Sequence, residues 1–368
     1  MNTKRILCIL QLPPPLHGVS LMNNYILNSK LIKSNFHIEI VDFRFAKSMK
    51  DLQKFSFSKI FKAIVYVYKI AKKVLIKKPD MVYFTLCPTG LGFYRDAFYV
   101  FILKLFGSKI VFHLHGKGIK QSAQKNFLRK WLYTWLFKNT FVICLSKKLA
   151  DDISDVYKNT PYIVPNGIEV QPKFNRNVNQ LNRSVPQILY LSNYIRNKGI
   201  LILLEALEIL KDQGYQFKAR LVGAPTDLTI EFLENKITNQ NLTEVVKIIG
   251  PRYGDNKFVE FQEADIFVFP TYNDAFPLVT IEAMQYCLPV ISTFEGSIPD
   301  IVIDNETGFL VKTQDPQMLA EKIAILLNDK DLGIEMGKRG YERFMNNFTL
   351  NHFENKINEI FYEILGTH

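Results

Sequence analysis

Three segments of this 368-residue sequence put residues capable of chemistry at turns between apolar runs. The richest is DIFVFPTYNDAFPLVTIEAMQYCLPVISTFEGSIPDIV, in which Asp274 and Glu282 stand eight residues apart across the turn AFPL and the start of a helical pattern. One carboxylate then sits in the loop and the other in the first turns of the helix. Carboxylates accept pairs of sugar hydroxyls, and free amides at a helix start receive phosphate. Each residue also has a plainer use, Asp274 as a cap and Glu282 as a first-turn charge favoured by the helix dipole. A second segment, YLSNYIRNKGILILLEAL, puts Arg196 and Lys198 in a strand-to-helix turn ahead of Gly199. Two such cations either hold a diphosphate, one as a fork and one as a point charge, or face solvent.

The third segment, PPPLHGVSLMNNYIL, follows the first apolar run, and Gly18 there lets backbone amides approach an anion without Cβ obstruction. Strand–glycine–helix junctions also occur for purely structural reasons. Gly116-Lys117-Gly118 follows the run KIVFHLH, but Gln121 occupies the third glycine position of a dinucleotide fingerprint, and no acidic residue lies about 20 positions on. That argues against a nicotinamide or flavin cofactor. His115, at the end of the same run, reads either as a cleft residue or as a satisfied strand-end histidine. Asp329-Lys330-Asp331 has metal-ligand spacing but lies between two late helical stretches, so it reads as a cap. The sequence has no G-x-S-x-G, P-loop or H-E-x-x-H motif. Cys8, Cys87, Cys144 and Cys287 are scattered singly and read as reduced, buried thiols. No cofactor and no metal are expected.

These residues need a scaffold, and apolar runs supply one. RILCILQL, FHIEIVDF, MVYFTL, KIVFHLH and TFVICLS recur with helical stretches between them. The rhythm restarts as QILYLS, FKARLVG, VVKIIG, DIFVFP and PVIST after a polar stretch at 170–186, which reads as a linker. Such alternation implies an α/β protein of two facing, doubly wound domains with a ligand cleft at the carboxyl ends of the strands. The boundaries fall at 1–170 for the first domain and 171–350 for the second. A C-terminal helix at 351–368 packs back on the first domain. The composition, 48% hydrophobic and 22% charged, is that of a folded chain and excludes disordered and fibrous classes.

The net charge of +11 hides an asymmetry: residues up to Gln180 carry +20 and the remainder −9. A basic half favours an anionic partner, which leaves nucleic acid, an anionic membrane face or phosphorylated substrates. The stretches FSKIFKAIVYVYKIAKKVLIKK and FLRKWLYTWLFK mix lysine with aromatic and aliphatic residues as basic amphipathic helices do, at about 1 kcal/mol per basic residue near anionic head groups. The N-terminal apolar stretch is too short for a signal peptide, and the run at 98–106 is broken by Lys104, so no segment is expected to span a bilayer. The expected location is cytoplasmic, on the inner face of the membrane.

Together the segments resemble the GT-B-fold retaining glycosyltransferases of family 4, the group 1 glycosyltransferases. The Gly18 loop, VPNGIE, YLSNYIRNKGILILLEAL, LVGAP and NDAFPLVTIEAMQYCLPVISTFEGSIPDIVIDNETGFLV occur in the family's order over nearly the whole chain. The resemblance implies two Rossmann-like domains and an E-x7-E motif, with Glu282 holding the nucleotide ribose and Asp274 contacting the donor sugar. It also implies Lys198 as the diphosphate lysine, Gly18 as the N-terminal loop glycine and His115 near the transferred sugar. The backbone of Phe276, Pro277, Leu278 and Val279 then faces the sugar and phosphates. Ser192-Asn193 replaces the family's Gly-Arg, which puts Asn193 in the donor site and makes Arg196 the substitute cation. Asp274 is one methylene shorter than glutamate, and the Gly-Gly turn reads Gly296-Ser297.

The implied reaction moves a sugar from a nucleoside diphosphate to a saccharide acceptor, without metal and with retention, the departing phosphate taking the acceptor proton. The basic half points to a lipid-linked acceptor in cell-surface polysaccharide synthesis, an anionic membrane partner and no nucleic-acid partner. The alternatives are a nucleotide-sugar epimerase of the same fold, a nucleic-acid-binding protein using the basic half, and a silent partner subunit.

Overall fold

The computed structural model of the protein describes residues 3–14, 17–43, 57–171 and 184–366. Most of the polar stretch expected as a linker, 172–183, lies outside them. The chain divides into two units, Met1–Gly167 with Leu350–His368, and Ile168–Thr349.

The first unit runs β1 (Arg5–Leu10), α1 (Gly18–Asn28), α2 (Lys30–Asn35), β2 (His37–Asp42), α3 (Phe57–Lys77), β3 (Met81–Thr85), α4 (Gly90–Leu105), β4 (Ile110–Leu114), α5 (Ile119–Gln124), α6 (Phe127–Phe137), β5 (Phe141–Cys144), α7 (Lys147–Ala150) and β6 (Tyr162–Ile163). The second runs β7 (Gln187–Leu191), α8 (Ile200–Asp212), β8 (Lys218–Val222), α9 (Ile230–Asn239), β9 (Val246–Gly250), α10 (Asp255–Glu263), β10 (Ile266–Val268), α11 (Leu278–Gln285), β11 (Val290–Thr293), α12 (Ile298–Ile301), β12 (Gly308–Val311), α13 (Pro316–Asn328) and α14 (Lys330–Asn347). Helix α15 (Leu350–Leu365) returns to the first unit.

In the first unit the strands lie parallel in the order β2-β1-β3-β4-β5-β6. Successive strand residues point to opposite faces, so Leu7 and Ile9 share one core with Ile70 of α3, Val100 of α4 and Leu136 of α6. On the other face, Tyr83 meets Phe361 and His113 stacks on Phe353, both from α15. The expected basic helices are α3 and α6. Asp152 closes off the Gly116-Lys117-Gly118 turn: its carboxylate accepts the N–H groups of Gly118, Ile119 and Lys120 at 2.8, 2.9 and 3.2 Å. A carboxylate thus occupies the place where a dinucleotide phosphate would sit.

In the second unit the parallel order is β12-β11-β10-β7-β8-β9. The strands β10, β11 and β12 are wholly buried and β7 nearly so, as expected of a sheet covered on both faces, while the edge strand β9 is only partly covered. From β7 the chain builds outward through β8 and β9, then crosses to β10 on the other side of β7. The loops after β7 and β10 therefore diverge at a topological switch point, which opens a crevice at the carboxyl ends of the strands. The same reversal occurs in the first unit between β1 and β3. Both sheets have the doubly wound, Rossmann-like arrangement of the GT-B fold. Asp329 caps α14, its carboxylate accepting the Leu332 N–H at 2.9 Å.

Candidate functional site

In the second unit, the segments leaving β7 and β10 are bonded to each other. After β7 the chain makes a tight turn at Arg196–Lys198 that ends at Gly199, whose φ of 81° lies in the left-handed region. A Cβ on Gly199 would collide with the carbonyl oxygen of Pro270, so glycine is needed for both conformation and space. The Asn197 carbonyl accepts the Tyr272 N–H at 3.0 Å and the Thr271 hydroxyl at 3.1 Å. This backbone junction brings Lys198 to the post-β10 loop. Its Nζ donates to Asp274 Oδ2 at 2.6 Å and to the Asn273 carbonyl at 3.1 Å.

Glu282 stands one turn into α11, and a residue absent from the sequence-derived set grips it. Lys257 Nζ, in the first turn of α10, lies 2.6 Å from both Glu282 carboxylate oxygens. The two carboxylates of the motif are thus each partnered by a lysine. Pro277 provides no side-chain cap for α11, so the first-turn amides of Leu278 and Val279 are oriented outward from the helix start. The Phe276 ring packs against Phe348 with centroids 6.2 Å apart. Gly296 presses on the carbonyls of Asp274 and Ala275, and the Ser297 N–H donates to Ala275 at 2.8 Å. The Gly296-Ser297 turn thereby buttresses the loop.

Two further residues expected in the donor site, Arg196 and Asn193, make contacts with the segment after β8 and with α9. The Arg196 guanidinium lies over the Phe232 ring of α9 at 5.9 Å, and its backbone N–H is accepted by both Asp227 oxygens at 3.1 Å. Asn193 Oδ1 accepts the Ala224 N–H at 3.4 Å, fastening the post-β7 loop to the post-β8 loop.

In the first unit, Gly18 opens α1 and His17 caps it. His115 follows β4 and is only 9% exposed. Burial, with His17 close by, pushes its pKa down to about 3, and burial lowers those of His17 and His113 as well. His115 is therefore a neutral imidazole at ordinary pH. The His113 ring stacks 4.0 Å from it, with Nδ1 2.5 Å from the Tyr83 hydroxyl.

Residues 172–343 match the family described as glycosyl transferases group 1. The capsular polysaccharide biosynthesis glycosyltransferase CapM of Staphylococcus aureus is 29% identical over 254 residues, 63% of this chain and 65% of CapM, just under two thirds of that relative's length. Among solved structures, sucrose-phosphate synthase from Thermosynechococcus elongatus superposes with a TM-score of 0.76 at 21% identity, over 99% of both chains. HepE of Anabaena, solved with UDP, superposes with a TM-score of 0.75 at 16% identity, over 98% of this chain and all of that one. The chain has the GT-B fold, and residues 172–343 are similar to the glycosyl transferases group 1 family.

Proposed function

We propose that this protein is a glycosyltransferase that takes a sugar from a nucleoside-diphosphate donor bound by its second unit and transfers it, with retention, to a saccharide acceptor. The observation that carries the reading is the pair of lysine–carboxylate contacts, Lys198 with Asp274 and Lys257 with Glu282, beside the start of α11. Ammonium groups and outward amides suit a diphosphate, while carboxylates suit sugar and ribose hydroxyls. The UDP bound to HepE and the capsular assignment of CapM support the same substrate class. Lys198 and the α11 amides carry the charge developing on the departing diphosphate, so the reading requires no bound cation, and that phosphate takes the acceptor proton.

A thermal-stabilisation screen of nucleotide sugars, run with and without EDTA, tests the donor, and the anomeric NMR signal of the product tests retention. Glu282→Ala should abolish donor binding. Unchanged donor affinity in that variant sinks the assignment.

The acceptor we propose is lipid-linked, reached from the inner face of the cytoplasmic membrane during cell-surface polysaccharide synthesis. Helices α3 and α4 pack together, with α6 against α4, and all three expose large apolar side chains, including Phe61, Ile64, Tyr68, Leu91, Phe98 and Trp131. Lys62, Lys69, Lys72 and Lys130 are exposed among them. A groove between β2 and α3 is lined by Lys69, Lys72, Lys73 and Lys77, which suits an anionic head group. No described helix is long and apolar enough to cross a membrane, so the contact we propose is peripheral. Sedimentation with anionic vesicles should capture the protein in a salt-dependent way. Indifference to those vesicles, together with equal transfer to a soluble saccharide, would remove this part of the reading.

A further inference from the structure

Helix α10 is nine residues long and starts at Gly254 with no side-chain cap. A helix that short has little stability of its own, so contacts with its neighbours must set its orientation. Two of its residues are buried, Phe261 and Glu260. Phe261 stacks on Tyr286, just past α11, with centroids 5.6 Å apart and the rings nearly parallel, and it meets Phe267 of β10. Glu260 is 3% exposed, and its carboxylate bridges two arginines. Oε2 accepts Nε–H and Nη2–H of Arg220, from β8, at 2.8 and 2.7 Å. Oε1 accepts the Nε–H of Arg252, in the loop after β9, at 3.4 Å.

A buried carboxylate is a costly way to attach a helix to a sheet, because an ion must leave water and an apolar residue of similar volume packs as well. What the charge adds is direction. Apolar burial is non-directional, and stacked rings tolerate offset, so Phe261 alone leaves α10 free to turn about its axis. The forked contact with Arg220 admits one geometry. That geometry reaches the crevice through Lys257, which stands three residues before Glu260, about 60° round the helix, and holds both oxygens of Glu282 at 2.6 Å. A helix with its side chains is about 10–12 Å across, so a rotation of about 20° carries a side-chain tip about 2 Å. A shift of that size parts Lys257 from at least one oxygen of Glu282.

We propose that Glu260 is a positioning residue for the nucleotide: tied to Arg220 and Arg252, it sets the rotation of α10 and with it the hold of Lys257 on Glu282. The inference rests on the reading of Glu282 as the group that binds the nucleotide of the donor. Glu260 touches no ligand in this scheme, and its effect passes through Lys257.

Glu260→Gln keeps the size of the side chain but has one acceptor oxygen, so it satisfies one arginine and turns an amide donor towards the other. UDP, GDP and ADP are titrated against the full-length wild type. The tightest is carried through a cycle of Glu260→Gln, Lys257→Met and the double variant. Glu260→Gln should weaken that nucleotide fivefold or more where Lys257 is present, and less than twofold in the Lys257→Met background. A fall in melting temperature common to both backgrounds is the structural share of the bridge, and it does not produce that difference in affinity. Equal losses in the two backgrounds, or an unchanged affinity beside Lys257, overturn the proposal. Arg220→Lys, which keeps the charge on β8 and removes the fork, goes through the same cycle and should give the same pattern, so the test survives a Glu260→Gln variant that does not fold. Wild type that binds none of the three nucleotides, or Glu282→Ala that binds as tightly as wild type, removes instead the reading on which the inference rests.

Discussion

Lys257 offers the sharpest test of the second unit, because it acts on ligand only through Glu282. Its ammonium meets both carboxylate oxygens at 2.6 Å, with the glutamate side chain 13% exposed and the lysine 22%. A charge-assisted contact in so dry a position contributes about 1.5–3 kcal/mol, and removing one partner leaves the other charge uncompensated. A carboxylate has about four lone-pair sites, so a lysine taking one on each oxygen leaves one on each for a pair of ribose hydroxyls. Holding Glu282 in a single orientation is then compatible with binding, and losing the hold weakens it. Lys257→Met should weaken UDP affinity about tenfold, or about 1.4 kcal/mol. A unit of this size should also melt some 4–8 °C lower for a loss of about 2 kcal/mol. The assay is a double-mutant cycle by titration calorimetry with Lys257→Met, Glu282→Gln and both together. The double variant should bind no worse than Glu282→Gln alone, since the lysine has nothing left to orient. Additive losses refute a positioning role, and tighter UDP binding by Lys257→Met shows that the lysine competes with the ribose.

Gly199→Ala places a Cβ on the Pro270 carbonyl in a left-handed backbone, at about 1–2 kcal/mol for the conformation alone, and should lower the melting temperature by several degrees and abolish UDP binding; a stable, binding variant would mean that the junction is not rigid. Arg196→Ala should leave UDP affinity within twofold, because its guanidinium lies over Phe232, whereas Lys198→Ala should lose tenfold or more; calorimetry on the pair decides. The pKa of His115 is lowered in the folded state, so its contribution is complete above about pH 6.5 and is lost as pH falls towards 3, on the order of 5 kcal/mol at most. His17 and His113, the imidazoles facing it, are shifted in the same direction. Denaturation series from pH 7 to 4 should show His115→Asn taking up about one proton fewer than wild type on unfolding near pH 5, and equal slopes would contradict the buried, neutral ring.

The central strands were legible because their runs are apolar nearly throughout, as burial on both faces demands, while the edge strands β2 and β9 admit charged residues. β6, with two residues, and β12, with four, are too short to stand out from surrounding loop. Lys198 and Asp274 each stood out from their turns. Their contact depends on the Asn197 carbonyl meeting the Thr271 hydroxyl and the Tyr272 N–H, and a backbone acceptor leaves no signature in the residue that carries it. Lys257 lies 25 residues before Glu282 on the polar helix DNKFVEFQE, where a lysine reads as solvated. Its one signal is position: the first turn of the helix after β9, on a sheet whose switch point lies two strands away. For Arg196 the sequence was silent on direction. Its spacing was right, but the direction of a long side chain depends on which aromatic ring stands nearby.

The lysine–carboxylate pairs also change how the charge asymmetry should be understood. Lys198 with Asp274 and Lys257 with Glu282 cancel formally, and the Glu295 carboxylate accepts the Asp274 N–H at 3.2 Å, so the crevice of the second unit is not a basic funnel. The sequence beyond Gln180 carries a charge of −9, which repels a diphosphate at long range. Salt screens that repulsion over about 10 Å at 0.1 M, whereas hydrogen bonds at contact distance are affected far less. On the proposed reading a diphosphate is held there by direction: the remaining donor valence of Lys198, which has three N–H bonds and spends two, and the outward amides of Leu278 and Val279. The basic surplus sits in the other half of the chain, where exposed aromatic side chains accompany the lysines. Field and directed contact are thus divided between the units, the first suited to an extended anionic surface and the second to one small ligand of fixed shape.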